Sequence, residues 1–266
     1  MLFRSDWIAR LQPSVRYQQA PAASRPAPPA TAEEEGAQAA ALLDRAIAAK
    51  GGLEKLRALK TIVATQRVST RLGGSATVAE SLTTFDTTNY IQYPDRLRIE
   101  TRVGDGVAVN VQACDGTDVW VKDQRGVRPQ PETIARQVRV SLRRDVVALM
   151  LAAKMGALAP RILPDVKSSA GVLDHVLELS APDLNPILLY VNPESGLIDK
   201  LVFVDDAPSR ALVEESFADY RDVDGIRIPF QGTRQIGTQR VERHSTGVKI
   251  NVPIDPSLFK RPATSS

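Results

Sequence analysis

AAKGGLEKLRALKTI, residues 48–62, is the stretch on which the reading of this 266-residue chain turns. An amphipathic run halts at Gly51-Gly52, restarts for two turns and then gives way to a β-branched stretch that reads as a strand. Upstream, Leu42, Leu43, Ala46 and Ile47 share one helical face. Asp44, Arg45 and Lys50 are placed off it, and Gly51 supplies the left-handed stop that commonly ends a helix. Leu53 and Leu56 give the second helix an apolar edge. Two turns are marginal alone, so packing must hold that helix in place.

Downstream the pattern is mostly strand. TIVATQRVST, SATVAESLTTF, DRLRIETRV, VAVNVQAC and TDVWV are rich in β-formers, and Asp115-Gly116 predicts a type I′ hairpin turn. In DRLRIETRV, Leu97, Ile99, Thr101 and Val103 fall on one face and Arg96, Arg98, Glu100 and Arg102 on the other, predicting one buried and one wet face. Residues 132–155 switch to helical spacing, long enough for one long helix or two shorter ones. Ile134, Val138, Leu142, Val146, Leu149 and Met150 lie on one side, with Arg136, Arg139, Arg143 and Arg144 largely on the other. Strands resume at VLDHVLELS, ILLYV, LIDKLVFV, ALVEESFADY, IRIPFQGTRQI and RVERHSTGVKINV. The result is an α+β chain: a large antiparallel sheet preceded by a helical pair and interrupted by a helical insert.

Before this domain lies a segment of different character. APAASRPAPPATAEEEG, from Ala20, is rich in Pro and Ala and reads as a linker. Residues 1–30 are expected to be a disordered arm, residues 31–262 the domain and 263–266 a tail. MLFRSDWIARLQ has no apolar core of the kind a signal peptide needs. Leu2-Phe3-Arg4-Ser5 matches one frame of a common sequencing adapter, so Met1–Ser5 reads as an assembly scar on a truncated frame.

Composition narrows the function. The 34 Lys and Arg nearly balance 31 Asp and Glu and are interleaved with them along the strands, which disfavours a nucleic-acid surface. One cysteine, Cys114, excludes an internal disulfide. With only His175 and His244 beside it, too few soft ligands remain for a structural zinc site, and no metal or other cofactor is expected. There is no nucleophile elbow, phosphate-binding loop or zinc-peptidase motif, so no catalytic residue is assigned and the chain is read as a non-enzyme.

GGLEKLRALKTI, YPDRLRIE, DGTDVWV, YVNPESGLIDKL, DYRDVDGIRIPF and INVPIDPSLF, in that order, resemble the LolA/LolB-like outer-membrane lipoprotein-sorting proteins over residues 38–262. The same module resembles domains that follow a Pro/Ala-rich linker in insulinase-type zinc peptidases. The resemblance implies an open half-barrel, a strongly curved antiparallel sheet whose concave apolar face is covered by helices. Gly51-Gly52 would then let the first helix turn so that both helices lie across one mouth. It also implies a periplasmic, cell-envelope protein that holds the acyl chain of a lipid or lipoprotein. The alternative is an accessory C-terminal domain of a zinc peptidase whose catalytic part is absent here.

The ligand-facing candidates on the concave face are Leu97 and Ile99 in one row and Leu173, His175, Leu177 and Leu179 in another. His175 itself is expected to be a hydrogen-bonded core residue and His244 to be exposed. Arg136, Arg139, Arg143 and Arg144 are candidates for a membrane surface, against the more ordinary reading of a solvated helix face. Trp120 and Tyr93 read as cross-strand packing. Asp219, Asp222 and Asp224 lack the spacing of a calcium loop and read as turn residues.

Overall fold

The helices form where the pattern places them, and their break falls at the two glycines. A computed structural model describes residues 31–73, 81–104, 108–168, 171–205 and 210–263. The expected arm, 1–30, and residues 264–266 of the tail lie outside them. Helix α1 (Ala32–Lys50) buries Ala39, Leu42, Leu43, Ala46, Ile47 and, against expectation, Lys50. It ends in a Schellman motif, in which the Gly52 amide donates to the Ile47 carbonyl and the Gly51 amide to that of Ala48. Helix α2 (Leu53–Ala58) follows at once and buries Leu56.

The strands make one antiparallel sheet of thirteen among the described residues, with β6 and β7 at its two edges. From α2 the chain enters β1 (Thr61–Leu72) and meanders outward through β2 (Ser81–Gln92), β3 (Arg96–Arg102), β4 (Asn110–Asp115), β5 (Val119–Asp123) and β6 (Gly126–Pro129). Helices α3 (Glu132–Arg143) and α4 (Val146–Lys154) then carry it to the opposite edge. There β7 (Ala159–Lys167) begins a return through β8 (Leu173–Ala181), β9 (Leu184–Val191), β10 (Ile198–Val204), β11 (Leu212–Val223) and β12 (Ile226–Ile236). Strand β13 (Gln239–Ile250) completes the return by pairing with β1. Open twisted sheets of more than about ten strands curl. This one curls round its helices without closing into a barrel.

Two strands had no expectation attached, β6 and β7, and both carry proline. Proline removes a ladder donor and is tolerated at sheet edges, which is where Pro129, Pro160 and Pro164 sit. The β7–β8 register slips between Leu163 and Val166, at Pro164. The strand expected over 75–85 begins only at Ser81, with 74–80 outside the described residues.

The helical insert is two helices. Asp145 makes the break, its carboxylate accepting from the amides of Val147 and Ala148 to cap α4. Helix α3 lays Ala135, Val138 and Leu142 over Leu97, Cys114 and Val119, whereas Ile134, expected inside, is exposed. Helices α1, α2 and α4 share the larger core with β8–β11, including Met150, Leu177, Leu179, Leu189 and Leu201.

Two local expectations need correction. The β4–β5 hairpin forms, but its loop residues are Gly116 and Thr117, with positive φ at Gly116 alone, so the turn is not type I′. Asp115 instead flanks the loop and accepts from the amides of Thr117 and Asp118. Nor is the outer face of β3 wet. Arg98 and Glu100 are ion-paired there at 2.9 Å and largely buried, and Arg98 donates to the Leu258 carbonyl. A 3-10 turn (Pro256–Leu258) brings the C-terminal segment across this face. Phe259 is fully buried, and its carbonyl accepts from the Trp120 indole at 2.7 Å. Trp120→Phe keeps most of the packing but orphans that buried carbonyl. It is expected to cost about 2 kcal/mol in urea denaturation, and a cost below about 0.5 kcal/mol would mean that the closure adds little.

Candidate ligand cavity

A cavity of about 230 Å³ lies between the sheet, the end of α1 and the start of α4. Its walls follow from strand alternation. On β1, Ile62, Ala64 and Gln66 enter it two residues apart, and on β2 Asn89 and Ile91 do the same. Two irregularities aim the remaining strands. In β13 the pairing with β1 shifts so that Thr65 faces Gly247 and Gln66 faces Ser245, leaving Thr246 as the extra residue of a bulge. Arg243 and Ser245 line the cavity before the bulge and Val248 after it, while His244 is exposed. In β11, Asp219 takes a left-handed backbone (φ 51) where its pairing with Phe230 is missing from the ladder. Glu215 and Phe217 line the cavity on one side of that residue and Tyr220 on the other.

The lining is apolar over Leu59, Ile62, Ile91, Val147, Ile226, Ile228 and Val248. Polar groups cluster in two places. In one, the Asn89 amide donates to Gln66 at 2.9 Å, Gln66 donates to Ser245 at 3.3 Å, and Glu215 lies 3.5 Å from both Arg234 and Arg243. In the other, Lys50, Tyr93, Asp145 and Tyr220 surround the helix ends. The Tyr93 hydroxyl donates to Asp145 at 2.8 Å and that of Tyr220 to the Ile198 carbonyl at 2.6 Å. Burial, aided by the charges of Asp145 and Asp199 respectively, holds both phenols above their usual pKa. Burial also pulls Lys50 down to about 8, with Asp145 opposing the shift. The Lys50 ammonium stands 5.4 Å from the centre of the Tyr220 ring.

A second, larger cavity of about 450 Å³ lies on the helix side of Leu59, Tyr93 and Val147, lined also by Leu56, Leu142, Leu151, Ala152, Met155 and Leu158. The two share those three residues as a common wall.

Of the candidates read from the sequence, Tyr93 and Arg144 line the first cavity and Arg143 the second, whereas the apolar row and His175 lie elsewhere. Leu177 and Leu179 are fully buried in the main core, packed beneath the helices. Leu97 and Ile99 pack under α3. Leu173, at the start of β8, is exposed. His175 is a third exposed and contacts Asp165 of β7 at 3.0 Å, so it is hydrogen-bonded, but at the margin of the core. Arg136 is exposed, Arg139 pairs with Glu132, and Arg143 pairs with Asp183 at 2.9 Å. Arg144 leaves that face altogether. It is buried, with its guanidinium 4.2 Å from the centre of the Phe203 ring and 3.7 Å from Asp205. Trp120 packs between Ala113 and Pro129 on the neighbouring strands, and Tyr93 faces the cavity. Asp222 accepts from the Gly225 amide in the β11–β12 turn, and Asp219 pairs with Arg221. Among the described residues no group of three or more His, Cys, Asp and Glu is placed to hold a metal, and no helix is long and apolar enough to cross a membrane.

Lys50 and Tyr220 are among the cavity residues that sequence reasoning missed. Lys50 had a signal: 39, 42, 43, 46, 47 and 50 are spaced as one helical stripe. Tyr220 had none, because its direction depends on the backbone of Asp219.

No protein-family model and no curated protein sequence matches the chain. Solved structures do. A DUF1329 family protein from Desulfovibrio piger aligns with a TM-score of 0.59 at 12% identity, over 84% of this chain and 97% of that one. A LolA superfamily protein from Nitrosomonas europaea gives 0.55 at 16%, again over 84% and 97%. A domain assigned to outer-membrane lipoprotein sorting, from Vibrio parahaemolyticus, gives 0.53 at 14%, over 83% and 97%. At these identities the likeness concerns architecture, and the chain carries the open, helix-covered antiparallel sheet of the LolA-like fold.

Proposed function

We propose that the protein is a non-catalytic binding protein of the bacterial cell envelope, working in the periplasm, that holds an acyl chain of a lipid or lipoprotein between sheet and helices. The observation that carries this reading is the apolar cavity under α4, in a fold shared with structures assigned to lipoprotein sorting. Leu177 and Leu179 serve the reading indirectly, as the packed floor on which α1 and α4 rest. The arginines of α3 leave at most a weak membrane attraction, since Arg139 and Arg143 are already paired.

Size limits the ligand. A liquid water occupies about 30 Å³ and a methylene is of similar size, so 230 Å³ admits roughly eight methylenes. At about 0.8 kcal/mol each they contribute about 6 kcal/mol, enough for sub-millimolar binding before association costs. Delipidated protein titrated with a fluorescent fatty-acyl probe is expected to bind in this range. Binding should persist at high salt, where attraction to the α3 arginines is screened. Val248→Trp, which fills the cavity from β13, should abolish uptake while circular dichroism stays native. Absence of uptake by the wild type, or equal uptake by the folded variant, would overturn the reading.

A further inference from the structure

Lys50 lines the cavity as a cation whose chemistry an apolar chain leaves unused. It is 5% exposed, yet its ammonium takes part in no hydrogen bond or ion pair among the described residues. Its ammonium interacts with the Tyr220 ring and, through space, with Asp145. A buried cation without hydrogen bonds is costly, and such groups are ordinarily paired. Replacing Lys50 by an apolar residue would remove that cost and lose only the contact with the Tyr220 ring.

The other polar groups at this end of the cavity are engaged. Both phenols donate hydrogen bonds, Tyr93 to Asp145 and Tyr220 to the Ile198 carbonyl. Asp145 accepts from Tyr93 and from two amides of α4. Arg144 is stacked on Phe203 beside Asp205. At the far end Glu215 sits between Arg234 and Arg243. The Lys50 ammonium, with three N–H donors, thus lines the cavity with no hydrogen-bond acceptor among the described residues.

We propose that the cavity selects an aliphatic chain ending in a free carboxylate, with the Lys50 ammonium as the partner of the headgroup. The assignment rests on the acyl-chain reading above and names its chemical class. A single uncommitted cation suits a monoanion better than a dianionic phosphate. Burial leaves Lys50 largely protonated at neutral pH, since its pKa falls only to about 8. A free fatty acid meets the demand, and an ester- or amide-linked acyl chain, lacking the carboxylate, does not.

Isothermal titration of the delipidated full chain with octanoate and with methyl octanoate at pH 7 tests this. Octanoate is expected to bind the wild type about tenfold more tightly, the size of a charge-assisted hydrogen bond offset by desolvation. In Lys50→Met the preference should vanish or reverse, and Lys50→Gln, checked by near-ultraviolet circular dichroism, should behave alike. Equal affinity of the wild type for acid and ester would overturn the headgroup assignment and leave the cavity reading standing. So would an acid preference that survives in both folded variants. Binding of neither compound would overturn both.

Discussion

Lys50→Met is expected to stabilise the protein by about 2 kcal/mol at pH 7 and to remove a rise in stability between pH 8 and 10. The ammonium is buried, and desolvation lowers its pKa from 10.5 to about 8. Each tenfold change in proton affinity corresponds to about 1.36 kcal/mol, so holding the charged form inside costs the native state about 3 kcal/mol. Loss of the contact with Tyr220 takes back roughly 0.5 to 1 kcal/mol. The sign follows from proton counting. Between pH 8 and 10.5 the unfolded chain keeps the Lys50 proton while the folded chain has shed it, so stability climbs with pH. It is gained fully above 10.5 and lost as pH falls through 8.

The groups facing Lys50 act differently. Tyr93 and Tyr220, held above their usual pKa in the fold, ionise first in the unfolded chain and lower stability above pH 10 in both proteins. Urea denaturation of wild type and variant at pH 7, 8, 9 and 10 therefore isolates Lys50 in the difference between them. Parallel curves, or a variant less stable than the wild type at pH 7, would show that the ammonium has a partner and is not a stored cost.

That cost explains what the sequence revealed and what it hid. Apolar alternation in VLDHVLELS marked Leu177 and Leu179 as inward, and they are. Alternation identifies the face and is silent on whether helical side chains fill the space above it. Here Leu43, Ile47, Leu149 and Met150 belong to the same core cluster, and the open space lies further along the sheet, beneath the start of α4. Arg144 and Lys50 were misplaced because a charge was read as a surface mark, although helical spacing pointed Lys50 inward and Arg144 falls at the break between α3 and α4. Both sit against an aromatic ring, Phe203 and Tyr220, on distant strands. The edge strands were hidden by their prolines. The cavity itself depends on the bulge at Thr246 and the left-handed Asp219, one-residue events that no periodicity announces. By contrast the helix pair, the β4–β5 hairpin and the order of most strands were legible, because each rests on local chemistry: a glycine stop, a turn, a run of β-branched residues.

Gly51 is where local chemistry and the tertiary fold meet, and Gly51→Ala is expected to destabilise the protein by about 3 kcal/mol. Two effects add. The residue has φ 136, a conformation that costs a side chain roughly 1 kcal/mol or more. A Cβ there would also stand 2.4 Å from the Gly225 carbonyl oxygen and 3.2 Å from the Ile226 Cα, both backbone atoms of the β11–β12 turn. Backbone cannot swing aside as a lysine tip can, so either α1 withdraws or the turn opens. Ile226 belongs to the main core and lines the cavity, and either movement loosens both. Gly52→Ala is the control. It has a positive φ of 91 but nothing within 4 Å of its Cβ position, so backbone strain acts alone and about 1 kcal/mol is expected. For a domain of this size the two variants should melt roughly 6 to 12 °C and 2 to 4 °C below the wild type. If they lose equal stability, the contact between Gly51 and the turn does not hold the end of α1. The glycine pair would then be only a helix stop, and the position of Lys50 at the cavity would need another cause.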